Sequence, residues 1–300
     1  MKRPTLILLV GVPGSGKTTY AKTITGPHDN TIHLSSDQIR KELWGSEEIQ
    51  GDNNEVFSLM QSKAIEALND GLSVVYDATN VTRKDRSYII SLCPKFIKIE
   101  AHVVWAPIET CIRRDAARSR TVGKAVIDKM LKRFQAPYYD EGIDEIKVIL
   151  PDKFNQQDYR DEVLDDMKIP HDNPHHALNI YDHCFEAGAH ISRYIYNNKN
   201  YMHKCLVDPA IYHDIGKPYT KSFKDSKGNP CDTAHYYQHQ CVGSWMSYGL
   251  PEALHDDRAT RAWLISTHMD PYLNTKYYNR LPKYLKELVD KLHEADKAAH

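Results

Sequence analysis

The chain contains no apolar stretch of about 18 residues, so nothing in it reads as a membrane-spanning helix. The run Leu6–Val10 is too short for a signal-peptide core, and it leads straight into a glycine-rich loop. The six cysteines form no C-x-x-C pair, which argues against structural zinc; they read as free thiols of a reducing cytoplasm. Internal repeats and low-complexity tracts are absent. A charge excess of either sign is missing too. Residues 1–150 carry 21 Lys and Arg against 19 Asp and Glu, the remainder 18 against 21, and the whole chain sits at −1. That balance excludes a bulk nucleic-acid coat, so any contact with nucleic acid has to come from a local patch. Histidine is present in quantity but unevenly: thirteen of the sixteen lie at or after His171.

With 300 residues, 41% hydrophobic and 26% charged, the chain suits two globular domains. Residues 1–150 alternate short β-branched runs with helical patterns. Strands are expected at Thr5–Val10, Thr31–Leu34, Ser73–Tyr76, Ile97–Trp105 and Lys147–Leu150, with helices after Lys17, Asp37, Asn54, Arg83, Pro107 and Lys124. Such alternation implies an α/β domain, a parallel sheet with helices on both faces. The polar, acidic stretch 153–170 reads as a linker or strap. From Asn173 onward strand signals nearly vanish, and an all-α domain is expected over 171–300. Its helices are placed at His176–Tyr196, Met202–His213, Thr233–Ser247, Ala259–His268 and Lys283–Lys297, with a turn-rich loop at Lys224–Asp232.

Gly11-Val12-Pro13-Gly14-Ser15-Gly16-Lys17-Thr18 spells G-x-x-x-x-G-K-T between a strand and a helix, the context a phosphate-binding loop requires. Backbone N–H groups around Gly14, Ser15, Gly16 and the following Thr18 and Thr19 would close on the phosphates of ATP. Lys17 would reach the β- and γ-phosphates, and Thr18 would hold Mg²⁺. Asp37 follows the second strand, at the carboxyl edge where α/β folds bind ligands. It can serve as a general base for an acceptor hydroxyl or only cap the helix behind it. Asp77 ends the third strand, in the place of a carboxylate for Mg²⁺ or its waters. The basic run Arg113–Arg120, followed by Lys124, Lys129, Lys132 and Arg133, suits a lid over the nucleotide, or else a solvated face.

These residues, with Ser36-Asp37-x-x-Arg40, Asp77-Ala78-Thr79-Asn80, Arg83, Arg86, Arg114-x-x-x-Arg118 and Val126-Ile127-Asp128, resemble the 5′-kinase domain of phage-type polynucleotide kinase–phosphatases. The resemblance implies that residues 1–152 form a P-loop 5′-polynucleotide kinase. It makes Asp37 the base for a 5′-hydroxyl and Arg40 the partner of the phosphate 3′ of the accepting nucleoside. Arg118 becomes the lid arginine on the donor phosphates, Arg114 a neighbour of the nucleotide, and Thr79, Asn80, Arg83 and Arg86 acceptor-side residues. A cytoplasmic location, a host cytoplasm for a phage-encoded chain, goes with it.

Downstream, His183, His213-Asp214, His239, His268 and Asp296 are set out as H…HD…H…H…D. Each histidine alone reads as structural or surface. Together, imidazoles and carboxylates on separate helices can converge on metal ions in a bundle core. The order, and the string His213-Asp214-Ile215-Gly216-Lys217-Pro218, resemble the HD-domain phosphohydrolases. Asn173-Pro174-His175-His176, Tyr181-x-His183 and His235…His239-x-x-x-Gly243 are similar to the HD region fused to tRNA nucleotidyltransferases. The resemblance implies one or two ions such as Mn, Ni, Co or Fe, held by His183, His213, Asp214, His239, His268 and Asp296. Lys217 either contacts the phosphate or faces solvent. His175 and His176 either line the entrance or cap a helix, and Tyr236 and Tyr237 are candidates to stack on a base. The phage-type enzyme pairs its kinase with a different phosphatase fold, so this chain departs from it there.

A 5′-hydroxyl kinase and a phosphoesterase on one chain fit repair of broken RNA or DNA ends, single-stranded or nicked, ahead of a ligase. A nucleotide or metabolite kinase fused to a nucleotidase is a second reading, and an ATP-gated nucleic-acid-binding module a third.

Overall fold

A computed structural model describes residues 3–26, 30–49, 51–173, 177–199, 201–252 and 257–299. The chain forms two units. The first comprises Met1–Met130 and Pro137–Pro151, the second Leu131–Ala136 and Asp152–His300.

The first unit is built on strands β1 (Thr5–Val10), β2 (Thr31–Ser35), β3 (Ser73–Asp77), β4 (Lys98–Val104) and β5 (Glu145–Ile149). They form one parallel sheet in the order β2-β3-β1-β4-β5. The three central strands are almost wholly buried and the two edge strands half-buried, as expected when helices cover both faces. Helices α1 (Lys17–Thr23), α2 (Ser36–Trp44), α3 (Asn53–Asn69), α4 (Arg83–Leu92), α5 (Ile108–Ala116) and α6 (Lys124–Leu131) connect them. On α3, Val56, Met60, Ala64, Ala67 and Leu68 form the buried stripe. Helix α4 begins with a reciprocal cap between Thr82 and Asp85. The crossover β1→β2 passes over β3, whereas β3→β4 passes over β1. The carboxyl ends of β1 and β3 therefore lie beside the reversal of strand order, where ligands bind in such sheets.

The second unit is mostly helical: α7 (Gln156–Asp166), α8 (Ile180–Asn198), α9 (Val207–Tyr212), α10 (Lys217–Thr220), α11 (His239–Ser247), α12 (Arg258–Thr267), α13 (Asp270–Leu273), α14 (Thr275–Tyr278) and α15 (Lys283–Ala298). Every residue of α11 and all but the first of α12 are buried, so this pair forms the centre. Helix α8 buries Ile180, His183, Cys184, Ala187, Gly188, Ile191 and Ile195, and α15 buries Leu285, Val289, Leu292 and Ala295.

Three sequence expectations change here. Stretch 153–170 is not a free linker: α7 buries Val163, Met167 is also buried, and Arg160 Nε donates to the Tyr212 hydroxyl at 3.1 Å within the second unit. Residues 131–136 belong to the second unit rather than the first, because Phe134 packs edge-on against Trp245 and Tyr248 at 5.3 and 6.2 Å. The segment read as the start of a helix at Thr233 is instead strand β7 (Pro230–His235). It pairs antiparallel with β6 (Ser222–Lys224) across a turn in which Asp225 accepts from the Lys227 and Asn229 amides. None of the six cysteines is in a disulfide. Among the described residues no helix is long and apolar enough to cross a membrane.

Candidate functional site

The glycine-rich loop leaves β1 and enters α1 through three glycines at positive φ, Gly11, Gly14 and Gly16. At Gly14, with φ near 78°, a Cβ would stand 2.1 Å from the Cys111 carbonyl oxygen, so only glycine lets the loop lie against α5. The Ser15 hydroxyl is buried without a hydrogen-bond partner, as a group awaiting a phosphate oxygen would be. Lys17 is buried and its Nζ donates to the Val12 carbonyl at 3.0 Å. Burial pushes the Lys17 amine down to about 8 against the pull of Asp77, and Arg118 and Asp37 also act on it. Asp37, Asp77 and Arg118 thus lie within electrostatic reach of the Lys17 amine. Thr18 and Thr19 are exposed on the first turn of α1. Arg114 Nη1 reaches the Ser15 carbonyl at 3.4 Å. Asp77 is buried and paired with His33 Nε2 on β2 at 3.0 Å; His33 had no role in the sequence reading.

Asp37 is not the cap of α2. That place is taken by Ser35, whose hydroxyl accepts from the Asp37 amide at 3.2 Å. The Asp37 carboxylate is left half-exposed, with Oδ1 3.4 Å from Arg40 Nη1 and 2.9 Å from Arg120 Nη1. Arg40 is buried, donates to Asn53 Oδ1 at 2.8 Å, and keeps its Nε buried without a partner. The basic run is a helix–turn–helix of α5 and α6. Its turn is fixed by Asp115, which accepts from the Val122 and Gly123 amides at 3.1 and 2.9 Å.

Three residues expected on the acceptor side are engaged within the protein. Arg86 is fully buried in a two-pronged pair with Glu141, at 2.8 and 2.7 Å, and also donates to the Asn80 carbonyl. Arg83 pairs with Asp140 at 2.7 Å. Asn80 is buried and donates to the Leu9 carbonyl at 2.7 Å, fixing the end of β1. These side chains hold the frame. Thr79 is half-buried and accepts from the Gly11 amide through its carbonyl at 3.0 Å. Arg86→Leu removes the two-pronged partner of buried Glu141 and leaves it the longer contact to Arg83 at 4.0 Å, so a loss of up to about 3–5 kcal/mol in unfolding free energy is expected, read by denaturant titration. A change below 1 kcal/mol, an order-of-magnitude bound for an exposed pair, would show that the pair is not buried in solution.

In the second unit, His183 on α8, His213 and Asp214 after α9, His239 opening α11, His268 closing α12 and Asp296 on α15 meet in one cluster. His183 Nε2 lies 3.2 Å from His213 Nε2 and 3.0 Å from Asp296 Oδ1. His239 Nε2 lies 3.3 Å from His268 Nε2 and 3.1 Å from Asp214 Oδ1. Asp214 Oδ2 faces the other side, 3.3 Å from His213 Nε2. One carboxylate therefore serves two groups, His183–His213–Asp214 and Asp214–His239–His268, each able to hold an ion.

The tautomers support the same reading. Nδ1 of His183, His213, His239 and His268 rests on the carbonyls of Ala299, Ala210, Tyr236 and Ile265 at 3.3, 2.8, 2.9 and 2.8 Å. A carbonyl only accepts, so each Nδ1 carries the proton, and in a neutral ring Nε2 is a bare lone pair. Lone pairs this close repel unless a positive charge stands among them. Burial opposes charge on His213, yet Asp214, the Cys184 sulfur and Asp296 raise it well above the imidazole range. Burial beside His239 and His213 pushes His268 down to about 3. Mixed imidazole and carboxylate donors fit Mn, Fe, Co or Ni.

Lys217 is not a solvent lysine. It is buried, 2.6 Å from Asp214 Oδ2 and 3.2 Å from His171 Nε2. The approach to Oδ2 is an ion pair without hydrogen-bond alignment, so that oxygen remains buried and unsatisfied. His171, only a boundary marker in the sequence reading, is held by the Leu178 carbonyl at 2.7 Å, and the Tyr236 hydroxyl donates to its carbonyl. Tyr236 also lies under Lys217, 5.4 Å from its ring centre, while the half-exposed Tyr237 stacks on His235. Gly216 packs on α11, where a Cβ would meet the His239 carbonyl oxygen at 2.1 Å. His175 and His176 lie outside the described residues.

Residues 6–137 match a family sequence model described as AAA domain, AAA_33. The first unit has a P-loop kinase fold. Among curated proteins, a transcription factor bHLH140 of Arabidopsis thaliana is 28% identical over 149 residues, 47% of this chain and 15% of its own length. An L-seryl-tRNA(Sec) kinase of Methanococcus maripaludis is 26% identical over 176 residues, 53% of this chain and 65% of its own length. The chain therefore spans less than two thirds of either relative. Among solved structures, a chain of the Pnkp1/Rnl/Hen1 RNA repair complex is 22% identical, with 44% of each chain covered and a TM-score of 0.41. A fungal RNA kinase is 14% identical, with 56% of this chain and 45% of that chain covered and a TM-score of 0.38.

Proposed function

We propose that the chain heals broken nucleic-acid ends. The first unit moves the γ-phosphoryl group of ATP to a 5′-hydroxyl. The second is an HD-type hydrolase that opens a 2′,3′-cyclic phosphate and removes a 2′- or 3′-phosphate. The observation that carries the first activity is Asp37, freed from capping by Ser35 and half-exposed beside Arg40. Its carboxylate takes the hydroxyl proton as the new O–P bond forms and the bond to ADP breaks. Lys17 and Arg118 face the donor phosphates, Arg114 the loop, and Thr18 with Asp77 would hold Mg²⁺. Likeness to an L-seryl-tRNA(Sec) kinase supports an RNA-borne acceptor.

The second activity rests on the shared carboxylate of Asp214. His183, His213 and Asp296 would hold one ion, His239 and His268 another. Such ions ease deprotonation of water and neutralise charge developing on a phosphate. Lys217 orients Asp214 and carries positive charge toward the same place. The products, a 5′-phosphate and a 3′-hydroxyl, are what a ligase consumes, and the setting is the cytoplasm.

A short RNA with a 5′-hydroxyl and a 2′,3′-cyclic phosphate tests both halves. With ATP and Mg²⁺, then Mn²⁺, Ni²⁺ or Co²⁺, mass spectrometry should show one phosphoryl group gained at the 5′ end and the cyclic end opened. Chelated protein resupplied with Mg²⁺ alone should recover the first reaction before the second. Unchanged RNA, with a free nucleoside or nucleotide turned over instead, would overturn the proposal in favour of a metabolite kinase–nucleotidase.

A further inference from the structure

The turn between α5 and α6 carries two arginines, and Arg118 is the one read from the sequence as facing the donor phosphates. Arg120, two residues on, places Nη1 2.9 Å from Asp37 Oδ1, on the acceptor side. The turn is pinned by Asp115, which takes the Val122 and Gly123 amides on its carboxylate and the Arg118 amide on its carbonyl, so Arg120 is delivered to a defined position.

Two features show an incomplete site. Arg40 and Arg120 converge on the same oxygen, Oδ1, leaving two guanidinium charges against one carboxylate. Each guanidinium also has donors to spare: among the described residues Arg120 makes only the Asp37 contact, and Arg40 Nε is buried without a partner. An anion beside Asp37 would balance the charge and satisfy those donors, and guanidinium forks match phosphate oxygens. Both contacts fall on Oδ1, and the carboxylate as a whole is half-exposed. A half-exposed ion pair of this kind adds at most about 1 kcal/mol to folding, so its removal leaves the unit folded.

We infer that Arg120 is a second acceptor-side arginine, which together with Arg40 grips a phosphate of the acceptor strand next to the hydroxyl that Asp37 deprotonates. The inference rests on the kinase reading above and adds to it a residue, Arg120, at the phosphate that the resemblance gives to Arg40 alone. The unit selects acceptors that carry a phosphate, and the lid reports on the acceptor as well as the donor.

The test compares wild type, Arg120→Ala and Arg120→Lys on a nucleoside 3′-monophosphate and on the matching nucleoside, with kcat and KM measured for each acceptor and for ATP. Loss of one charge-assisted contact should raise the KM of Arg120→Ala for the 3′-monophosphate about tenfold. The preference for that acceptor over the nucleoside should narrow by a similar factor, with KM for ATP unmoved and part of the loss restored in Arg120→Lys. An unchanged preference overturns the inference. So does a rise in KM for ATP, which makes Arg120 a donor-side residue, or an equal fall in kcat on both acceptors, which confines it to Asp37. Failure of the wild type to phosphorylate any 5′-hydroxyl would instead sink the kinase reading, a separate and recognisable result. Thermal unfolding of each variant confirms that the fold is kept.

Discussion

Asp214→Ala is expected to lower hydrolysis of a 2′,3′-cyclic phosphate end by about a thousandfold or more, with 5′ phosphorylation at the wild-type rate. Metal ions contribute several kcal/mol of charge stabilisation to such reactions, and about 1.4 kcal/mol is a factor of ten. Asp214 is the side chain whose loss touches both halves of the cluster, because Oδ1 faces His239 and Oδ2 faces His213. Without it Lys217 is left as a buried cation deprived of its carboxylate partner, and its charge opposes an ion held by the neighbouring imidazoles. Metal content by elemental mass spectrometry should fall together with the hydrolysis rate. An Asp214→Ala protein that still opens the cyclic phosphate at an undiminished rate would remove the cluster from the chemistry.

Asp37→Ala should show the reverse pattern. General-base catalysis contributes about 10²–10⁴ in rate, so kcat for 5′ phosphorylation should drop within that range while hydrolysis and metal content stay unchanged. The substitution leaves Ser35 as the cap of α2, so the helix should persist. It also removes the carboxylate that Arg40 and Arg120 share, and KM for a phosphate-bearing acceptor should not rise as kcat falls, since both cations remain. Loss of both reactions in either variant, with the fold intact, would contradict two independent sites.

The strands of the first unit were legible because each is a short β-branched run between turn residues, and the phosphate loop because glycine spacing, strand and helix coincide. Pairings between distant residues were not legible. Arg83 and Arg86 sit where a substrate contact was expected, but their partners Asp140 and Glu141 lie more than fifty residues on, and nothing in a linear pattern pairs them. Asp37 as cap or base stayed open because Ser35 and Asp37 both suit a helix start; only geometry separates them. Hairpin β6–β7 was missed because its strands are short and polar, and Thr233–His235 runs into α11 without a strong break. The six residues of the cluster were visible as an order of residue types, and the structure brings them together. What the sequence withheld was the sharing of Asp214 and the burial of Lys217 and His171, which depend on Gly216 drawing α10 against α11.

The cluster also bears on how the second unit is held closed. His183 and Asp296 lie 113 residues apart along the chain and meet at 3.0 Å. An ion held by both residues would act as a cross-link, tying the first long helix of the unit to its last. The entropy of closing so long a loop is already met in the folded chain, and an ion that binds only that state adds its binding free energy to folding, about 2.7 kcal/mol at a hundredfold excess over Kd. On the proposed reading, metal supply would govern the stability of the second unit as well as its rate of hydrolysis.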